Sequence, residues 1–302
     1  MKLGIIGAGF SGRAIAVKAV TKGAHVWGTT RDETKATGFA EDGFAGVVFD
    51  GQTVTEPLLS ALHDTTHLVI SIAPARQENR DAPDGTVDPT LAALGERSLS
   101  TIAPSLQWVG YLSTVGVYGN HDGAWVDELT PVAPASERSR QRVRAEAEWM
   151  AVDKSLDMPV GIFRLSGIYG PGRNALLTAE RGKARRLVKK DQVFNRIHAC
   201  DIAQALWLAA EQKAGGLFNI TDDEPAPPQD VVAYAHDLMG KQAPPEMDFE
   251  TAELTPMARS FYGENKRVSN AKSKEVLGLE YDWPNYRTAL KRMWDEDCWR
   301  RS

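Results

Sequence analysis

Lys2-Leu3-Gly4-Ile5-Ile6-Gly7-Ala8-Gly9-Phe10-Ser11-Gly12 decides the fold of this chain. The apolar start reads as a short buried strand, and Gly7, Gly9 and Gly12 follow it in a G-x-G-x-x-G turn. Ala14, Ile15, Ala16, Val17, Ala19 and Val20 continue as a helix that Gly23 can stop. His25-Val26-Trp27 begins a second strand, which ends at Gly28-Thr29-Thr30-Arg31. Between a strand and a helix each glycine has its own physical role, whether a tight turn, close backbone approach to a pyrophosphate, or close packing of helix on strand. The helix start, at Phe10 and Ser11, adds free N–H groups and the positive end of a dipole. The stretch predicts a dinucleotide site.

The end of the second strand bears on which dinucleotide that is. An acidic residue there would accept from an adenosine ribose 2′-OH and favour NAD. This chain places Thr29, Thr30 and Arg31 at that point, with Asp32 one step further. Two hydroxyls and a guanidinium suit a 2′-phosphate, since Arg presents a planar fork of donors. NADP(H) is the preferred cofactor; NAD(H) is the competing one, with Asp32 as ribose acceptor.

Composition narrows the class. The net charge of −5 gives no support for a nucleic-acid partner, and no apolar run reaches the length of a membrane span. The N-terminus lacks the charged-then-apolar layout of a signal peptide. Two cysteines, Cys200 and Cys298, make neither a disulfide framework nor a metal-ligand spacing. A cytoplasmic protein without a metal is expected, taking a small-molecule substrate.

Strands and helices then alternate. Residues 45–49 read as a third strand ending at Asp50, which could bond an adenine amino group or simply cap a turn. Residues 67–72 are a continuous apolar run, as in a parallel sheet covered on both faces, and Ala73-Pro74 closes it at the carboxyl end, where ligands gather. Residues 75–89 read as a long loop placed for a lid, and residues 90–102 as a helix. A fifth strand (107–112) leads into Ser113-Thr114-Val115-Gly116-Val117-Tyr118-Gly119. A helix over 136–152 carries Arg138, Arg140, Arg142 and Arg144; Arg142 and Glu146 have i,i+4 spacing for an ion pair. A sixth strand (159–165) ends in a second glycine-rich turn, Ser166 to Arg173. A basic segment, a helix (202–212), a strand (217–220) and a closing helix (287–300) complete the chain. The pattern is α/β: a doubly wound parallel Rossmann sheet with a smaller C-terminal substrate lobe.

These residues carry a resemblance. The chain resembles an extended short-chain dehydrogenase/reductase, the NAD-dependent epimerase/dehydratase family that includes the nucleotide-sugar epimerases. The shared signals are the glycine turn, Asp50, Ser113-Thr114 with Val117-Tyr118-Gly119, Arg164 with Ile168-Tyr169-Gly170-Pro171-Gly172, His198 with Asp201, and Asn219, in family order. The resemblance implies a cofactor-binding domain over residues 1–167, with 197–221 returning to it. It also implies a substrate lobe from 168–196 and 222–302.

The family's chemistry uses a Ser/Thr to hold the substrate oxygen, a Tyr as proton donor or acceptor, and a Lys four residues later. Thr114, with Ser113 beside it, matches the first role. The Tyr-x-x-x-Lys slots fall on Arg138 and Arg142, and no Tyr lies between Tyr118 and Tyr169. Arg142 could still donate to a ribose hydroxyl and keep the positive charge. Arg138 cannot act as an acid near neutral pH, because guanidinium stays protonated. The resemblance is to an atypical branch.

Two functions compete. One is an NAD(P)-dependent oxidoreductase or epimerase acting on a small carbonyl, hydroxyl or sugar-nucleotide substrate, with Tyr118, His121 and Tyr169 as candidates for a rebuilt relay. Arg173 and Arg196, with Tyr169, would then bind a substrate of anionic character. The other is a catalytically inactive NADP(H) sensor or regulator. The chain is expected as a monomer or as a homodimer paired through the helices at 90–102 and 136–152.

Overall fold

The computed structural model describes residues 1–74, 85–95 and 99–300. The first half runs β1 (Lys2–Ile6), α1 (Phe10–Thr21), β2 (His25–Thr30), α2 (Glu33–Gly38), β3 (Ala45–Val48), α3 (Glu56–His63) and β4 (His67–Ile70). Next come α4 (Pro89–Leu94), α5 (Leu99–Ile102), β5 (Trp108–Thr114), β6 (Trp125–Val126), α6 (Glu137–Leu156), β7 (Val160–Leu165) and β8 (Gly167–Tyr169). The remainder is α7 (Ala175–Glu180), β9 (Arg186–Val188), β10 (Arg196–His198), α8 (Ala199–Gln212), β11 (Gly216–Ile220), α9 (Pro228–Leu238) and β12 (Glu246–Asp248). It closes with α10 (Pro256–Phe261), β13 (Arg267–Val268), α11 (Ala271–Leu277) and α12 (Tyr286–Asp295).

Seven strands form one sheet in the order β11-β7-β5-β4-β1-β2-β3, every pair parallel. The order turns back between β1 and β4. From β1 the chain winds outward to β3, then returns to β4 and winds the other way. That reversal opens a crevice beyond the carboxyl ends of β1 and β4, the place where such sheets bind ligands.

Alternate residues of the central strands explain the two layers. Ile5, Val69, Leu112 and Phe163 face α1 and α8, where Ile15, Ala16, Ile202 and Leu206 are buried against them. Ile6, Ile70, Tyr111 and Ile162 face the opposite layer with Leu58 of α3 and Trp149 of α6. With both faces covered, the strands read as unbroken apolar runs. A separate cluster (Leu176, Val231, Trp283, Tyr286, Leu290, Trp299) gathers the C-terminal helices. Three short parallel pairs, β8–β10, β9–β12 and β6–β13, tie these distant segments together.

Some elements differ from the sequence reading. The helix expected over 90–102 is two short ones, α4 and α5. Gly95 takes a positive φ of 57° at the end of α4, a conformation open to glycine that stops the helix there. The basic segment contains the strand β9, and Arg186 there pairs with Glu246. Of the stretch read as a lid, residues 75–84 lie outside the described residues. Its end is anchored, with Val87 and Asp88 amides donating to the Glu148 carboxylate of α6. Among the described residues no helix is long and apolar enough to cross a membrane, and no acidic, His or Cys cluster could hold a metal.

Candidate active site

The glycine turn is held from below. Gly7, at φ +94°, donates its amide to Thr29 Oγ1 at 2.8 Å, and the Ala8 amide donates to the Thr29 carbonyl at 2.8 Å. A Cβ on Gly12 would stand 2.4 Å from the Gly7 carbonyl oxygen, so only glycine lets α1 start this close to β1. A Cβ on Gly9 would touch nothing within 4 Å, because Gly9 faces open space. No acidic side chain occupies the first turn of α1, and no side chain caps Gly9. The N–H groups and the positive dipole end are left for an anion. They border a cleft of about 1810 Å³ lined by Gly7, Gly9 and Phe10, and by Thr30, Arg31, Asp50 and Ala73.

The predicted cofactor residues divide in this setting. Thr29 is buried and its hydroxyl serves Gly7; Ser11 is buried in the first turn of α1. Arg31 is exposed at the cleft and has no ion-pair partner among the described residues. Asp32 turns its carboxylate to the Lys35 amide at 2.9 Å and caps α2. Asp50 accepts from the amides of Gln52 and Thr53, bonds that hold its pKa below the usual carboxylate range.

At the carboxyl end of β5 the residues separate by face. Ser113 is buried, and its hydroxyl donates to Glu146 Oε1 at 2.5 Å. Glu146 forms two bonds with Arg164 of β7, at 3.1 and 2.7 Å, with both side chains buried. Arg164 lies over the ring of Tyr118, whose hydroxyl donates to Asn219 of β11 at 2.8 Å. Ser113 and Tyr118 are thus spent in a buried network; desolvation also raises the Tyr118 pKa. The i,i+4 pair expected between Arg142 and Glu146 does not form, because Glu146 is taken by Arg164. Arg142 instead donates to the Leu112 carbonyl at 2.6 Å and the Tyr111 hydroxyl at 3.1 Å. Arg138 is exposed.

Thr114 is half-buried, and its Oγ1 accepts from the Gly116 amide at 3.1 Å, which leaves its proton free. A Cβ on Gly116 would lie 3.1 Å from Ser139 Oγ and 3.4 Å from Thr114 Oγ1, so the two hydroxyls flank the same glycine. Ser139 in turn accepts from Ser136 Oγ at 2.9 Å. Ser139 was invisible in the sequence: it sits one residue after the slot occupied by Arg138.

The remaining candidates lie beyond β7. Arg173 is exposed, 5.7 Å from the ring centroid of Phe10 at the start of α1. His121 donates from Nε2 to the Tyr118 carbonyl at 3.1 Å. His198 is fully buried, stacks on Trp283, and accepts the Cys200 amide at Nδ1. Desolvation lowers its pKa to about 3, so it is neutral and carries its proton on Nε2. Tyr169, Arg196 and Asp222 lie together; burial raises the Asp222 pKa to about 8 and raises that of Tyr169, and it lowers that of Arg196.

Asp222 gives this region a pH signature. Its carboxyl is 1 % exposed and protonated when folded, but ionised above about pH 4 when unfolded. Its contribution to stability is complete below the unfolded pKa and is lost as pH rises towards about 8. The ligand-free protein should therefore lose on the order of 2 kcal/mol between pH 6.5 and 8. Urea unfolding across that range would show the slope, and Asp222→Asn should flatten it. An equally steep slope in the variant would exclude Asp222 as its origin.

Comparison with known proteins adds to this geometry. The profile of the NAD dependent epimerase/dehydratase family matches residues 5–221. A functionally unknown conserved protein from Silicibacter pomeroyi DSS is 43% identical over 98% of this chain and 99% of its own, with a TM-score of 0.84. UDP-N-acetylglucosamine 4-epimerase from Bacillus cereus covers 98% of this chain and 99% of its own at 16% identity, with a TM-score of 0.76, a likeness of fold. A 3-diazoavenalumate denitrifying reductase from a Streptomyces species is 29% identical over 161 residues, 50% of this chain. The chain spans about half, 52%, of the length of that curated relative.

Proposed function

The chain belongs to the NAD-dependent epimerase/dehydratase family, and on that premise we propose that it is an NADP(H)-dependent oxidoreductase of a small carbonyl or hydroxyl compound. The observation that carries this is the end of β2. Arg31 stands unpaired at the cleft, whereas the rival ribose acceptor Asp32 is turned into the cap of α2. Gly7, Gly9 and the start of α1 would hold the pyrophosphate, Arg31 with Thr30 the 2′-phosphate, and Asp50 and Ala73 the rim. Arg142, in the slot of the family's lysine, would hold the nicotinamide ribose. When bound, the dinucleotide supplies or accepts a hydride.

The chain's own residues handle the oxygen and its proton. Thr114 donates to the substrate oxygen. Ser139, which flanks Gly116 together with Thr114 and accepts from Ser136, would take the place of the missing tyrosine. Tyr118 has no part in it, since its hydroxyl is committed to Asn219. The reductase relative supports an oxidoreductase over an epimerase. Residues 1–167 with 197–221 would form the cofactor domain, and the remaining segments the substrate lobe.

The test is titration of the purified protein with NADPH and NADH, then NADPH oxidation over a panel of carbonyl compounds. NADPH should bind at least ten-fold more tightly, the equivalent of about 1.5–3 kcal/mol for a hydrogen bond to a charged group. Arg31→Ala should erase that preference, and Thr114→Val should abolish turnover. Tight binding without turnover across the panel would make the protein a dinucleotide sensor. Equal affinity for NADH and NADPH would remove the assigned role of Arg31.

A further inference from the structure

A polar cluster beyond β7 is left unused by the dinucleotide cleft. Register sets Leu165 level with Thr114, and it sets Arg196 of β10 beside Gly167, two residues further along the chain. Arg196 therefore stands just past the strand end at which Thr114 is placed. Its Nη1 donates to the carbonyls of Phe194 and Ala226, at 2.9 and 3.1 Å, and fixes the guanidinium. The other donors of Arg196 have no partner among the described residues. The Tyr286 ring lies 5.9 Å from the guanidinium carbon. Asp222 is tied to the same strand, its amide donating to the Arg196 carbonyl at 2.7 Å.

Around this guanidinium the structure leaves polar atoms unpartnered. The hydroxyls of Tyr169 and Tyr286 and Oδ2 of Asp222 are buried without a hydrogen-bond partner among the described residues. These residues are 9 %, 1 % and 1 % exposed. Buried polar groups are normally satisfied, and an unsatisfied one in a folded protein calls for an explanation. Burial keeps the Asp222 carboxyl protonated near pH 7, as its pKa of about 8 requires. The cluster thus offers a guanidinium, two phenols and a carboxyl, all able to donate. What it lacks is an anionic acceptor.

The charge balance limits that acceptor. Two guanidiniums lie by Tyr286, but Arg287, 4.7 Å from the ring centroid, is paired with Glu224 at 3.2 Å, so the net charge left at the cluster is the single positive charge of Arg196. A diphosphate would bring more negative charge than that balance can hold. A carboxylate brings one charge and two coplanar oxygens, which match the guanidinium fork.

We infer that Arg196, Tyr169, Tyr286 and Asp222 form the anchor for a carboxylate on the substrate, so that the chain acts on a small monocarboxylic acid and not on a nucleoside diphosphate. The inference rests on the oxidoreductase reading and narrows its substrate class. The anchor holds one end of the acid, and the reducible group reaches back towards Thr114.

The experiment is calorimetric titration of the full-length protein, with and without saturating NADP⁺, using benzoate and cinnamate, their amides, and UDP. The carboxylates should bind at least ten-fold more tightly than the amides, and UDP should not compete with them. Arg196→Gln should weaken carboxylate binding at least ten-fold, and Tyr286→Phe at least three-fold, with NADP⁺ affinity unchanged in both. Tyr286→Phe removes a single oxygen and serves where Arg196→Gln fails to fold. Absence of carboxylate binding, or binding that neither variant weakens, would overturn the anchor. Failure of NADP⁺ to bind would instead strike the oxidoreductase reading, and the titrations without NADP⁺ would still judge the anchor.

Discussion

Replacing Glu146 with alanine should destabilise the protein by about 3–5 kcal/mol, the cost of breaking a buried ion pair from one side. Arg164 and Glu146 side chains are 5 % and 7 % exposed, so water cannot replace the lost carboxylate. The variant would leave a guanidinium in the core beside Tyr118 and without its carboxylate, and Ser113 would lose the acceptor of its hydroxyl. Neutralising both partners removes the charge instead of stranding it. Glu146→Leu with Arg164→Met should therefore recover most of the loss, since well-packed apolar pairs often match buried ion pairs in stability. Urea unfolding at neutral pH would compare the three proteins. A loss below about 1 kcal/mol in Glu146→Ala, the range of exposed pairs, would show that water reaches the pair. The network matters to the site because it joins α6 to β5 and β7. It sets the register in which Arg142 and Ser139 meet the end of β5.

The same network shows where sequence legibility stops. The cofactor half was readable because each of its units carries a local signal: an apolar run, a glycine turn, a helix of matching period. The partner of Glu146 was not readable. Helical spacing offered Arg142, four residues away, and cannot register a buried guanidinium on β7 that needs a carboxylate. Thr29 misled in a similar way. Its position suggested a phosphate ligand, but it lies two residues after Trp27, on the same face of β2, and is buried where it accepts from Gly7. Arg31, two residues later and outward, keeps the expected freedom. The C-terminal pairs were the least visible. β6, β8, β10 and β13 are two or three residues long, too short for any period, and β6 pairs with β13 across more than a hundred residues. Arg196 lies on β10, Asp222 follows β11 and Tyr286 opens α12, so the sequence could nominate Arg196 but not the groups around it.

Gly12→Ala and Gly9→Ala should separate folding from binding at the glycine turn. A methyl group on Gly12 would stand 2.4 Å from the Gly7 oxygen and 3.2 Å from both the Gly7 carbonyl carbon and Ile5 Cγ2. The first of these is backbone, held in place by β1 and Thr29, and it cannot swing aside. Relief requires α1 to lift from the end of β1, at about 1–3 kcal/mol, the usual cost of overpacking. That movement carries the free N–H groups of the first turn away from the pyrophosphate. NADPH affinity should fall at least a hundred-fold, about 2.7 kcal/mol. Gly9 is the control. It is at φ −78°, which alanine adopts freely, and nothing lies within 4 Å of its Cβ position. Gly9→Ala should thus unfold at the wild-type temperature. Its methyl group would still project into the cleft at the point of closest backbone approach, and NADPH affinity should fall by at least ten-fold. Thermal unfolding and NADPH titration of the two variants give the comparison. Wild-type affinity in Gly9→Ala would mean that no phosphate approaches the turn, and the cleft would have to bind its ligand elsewhere along its length.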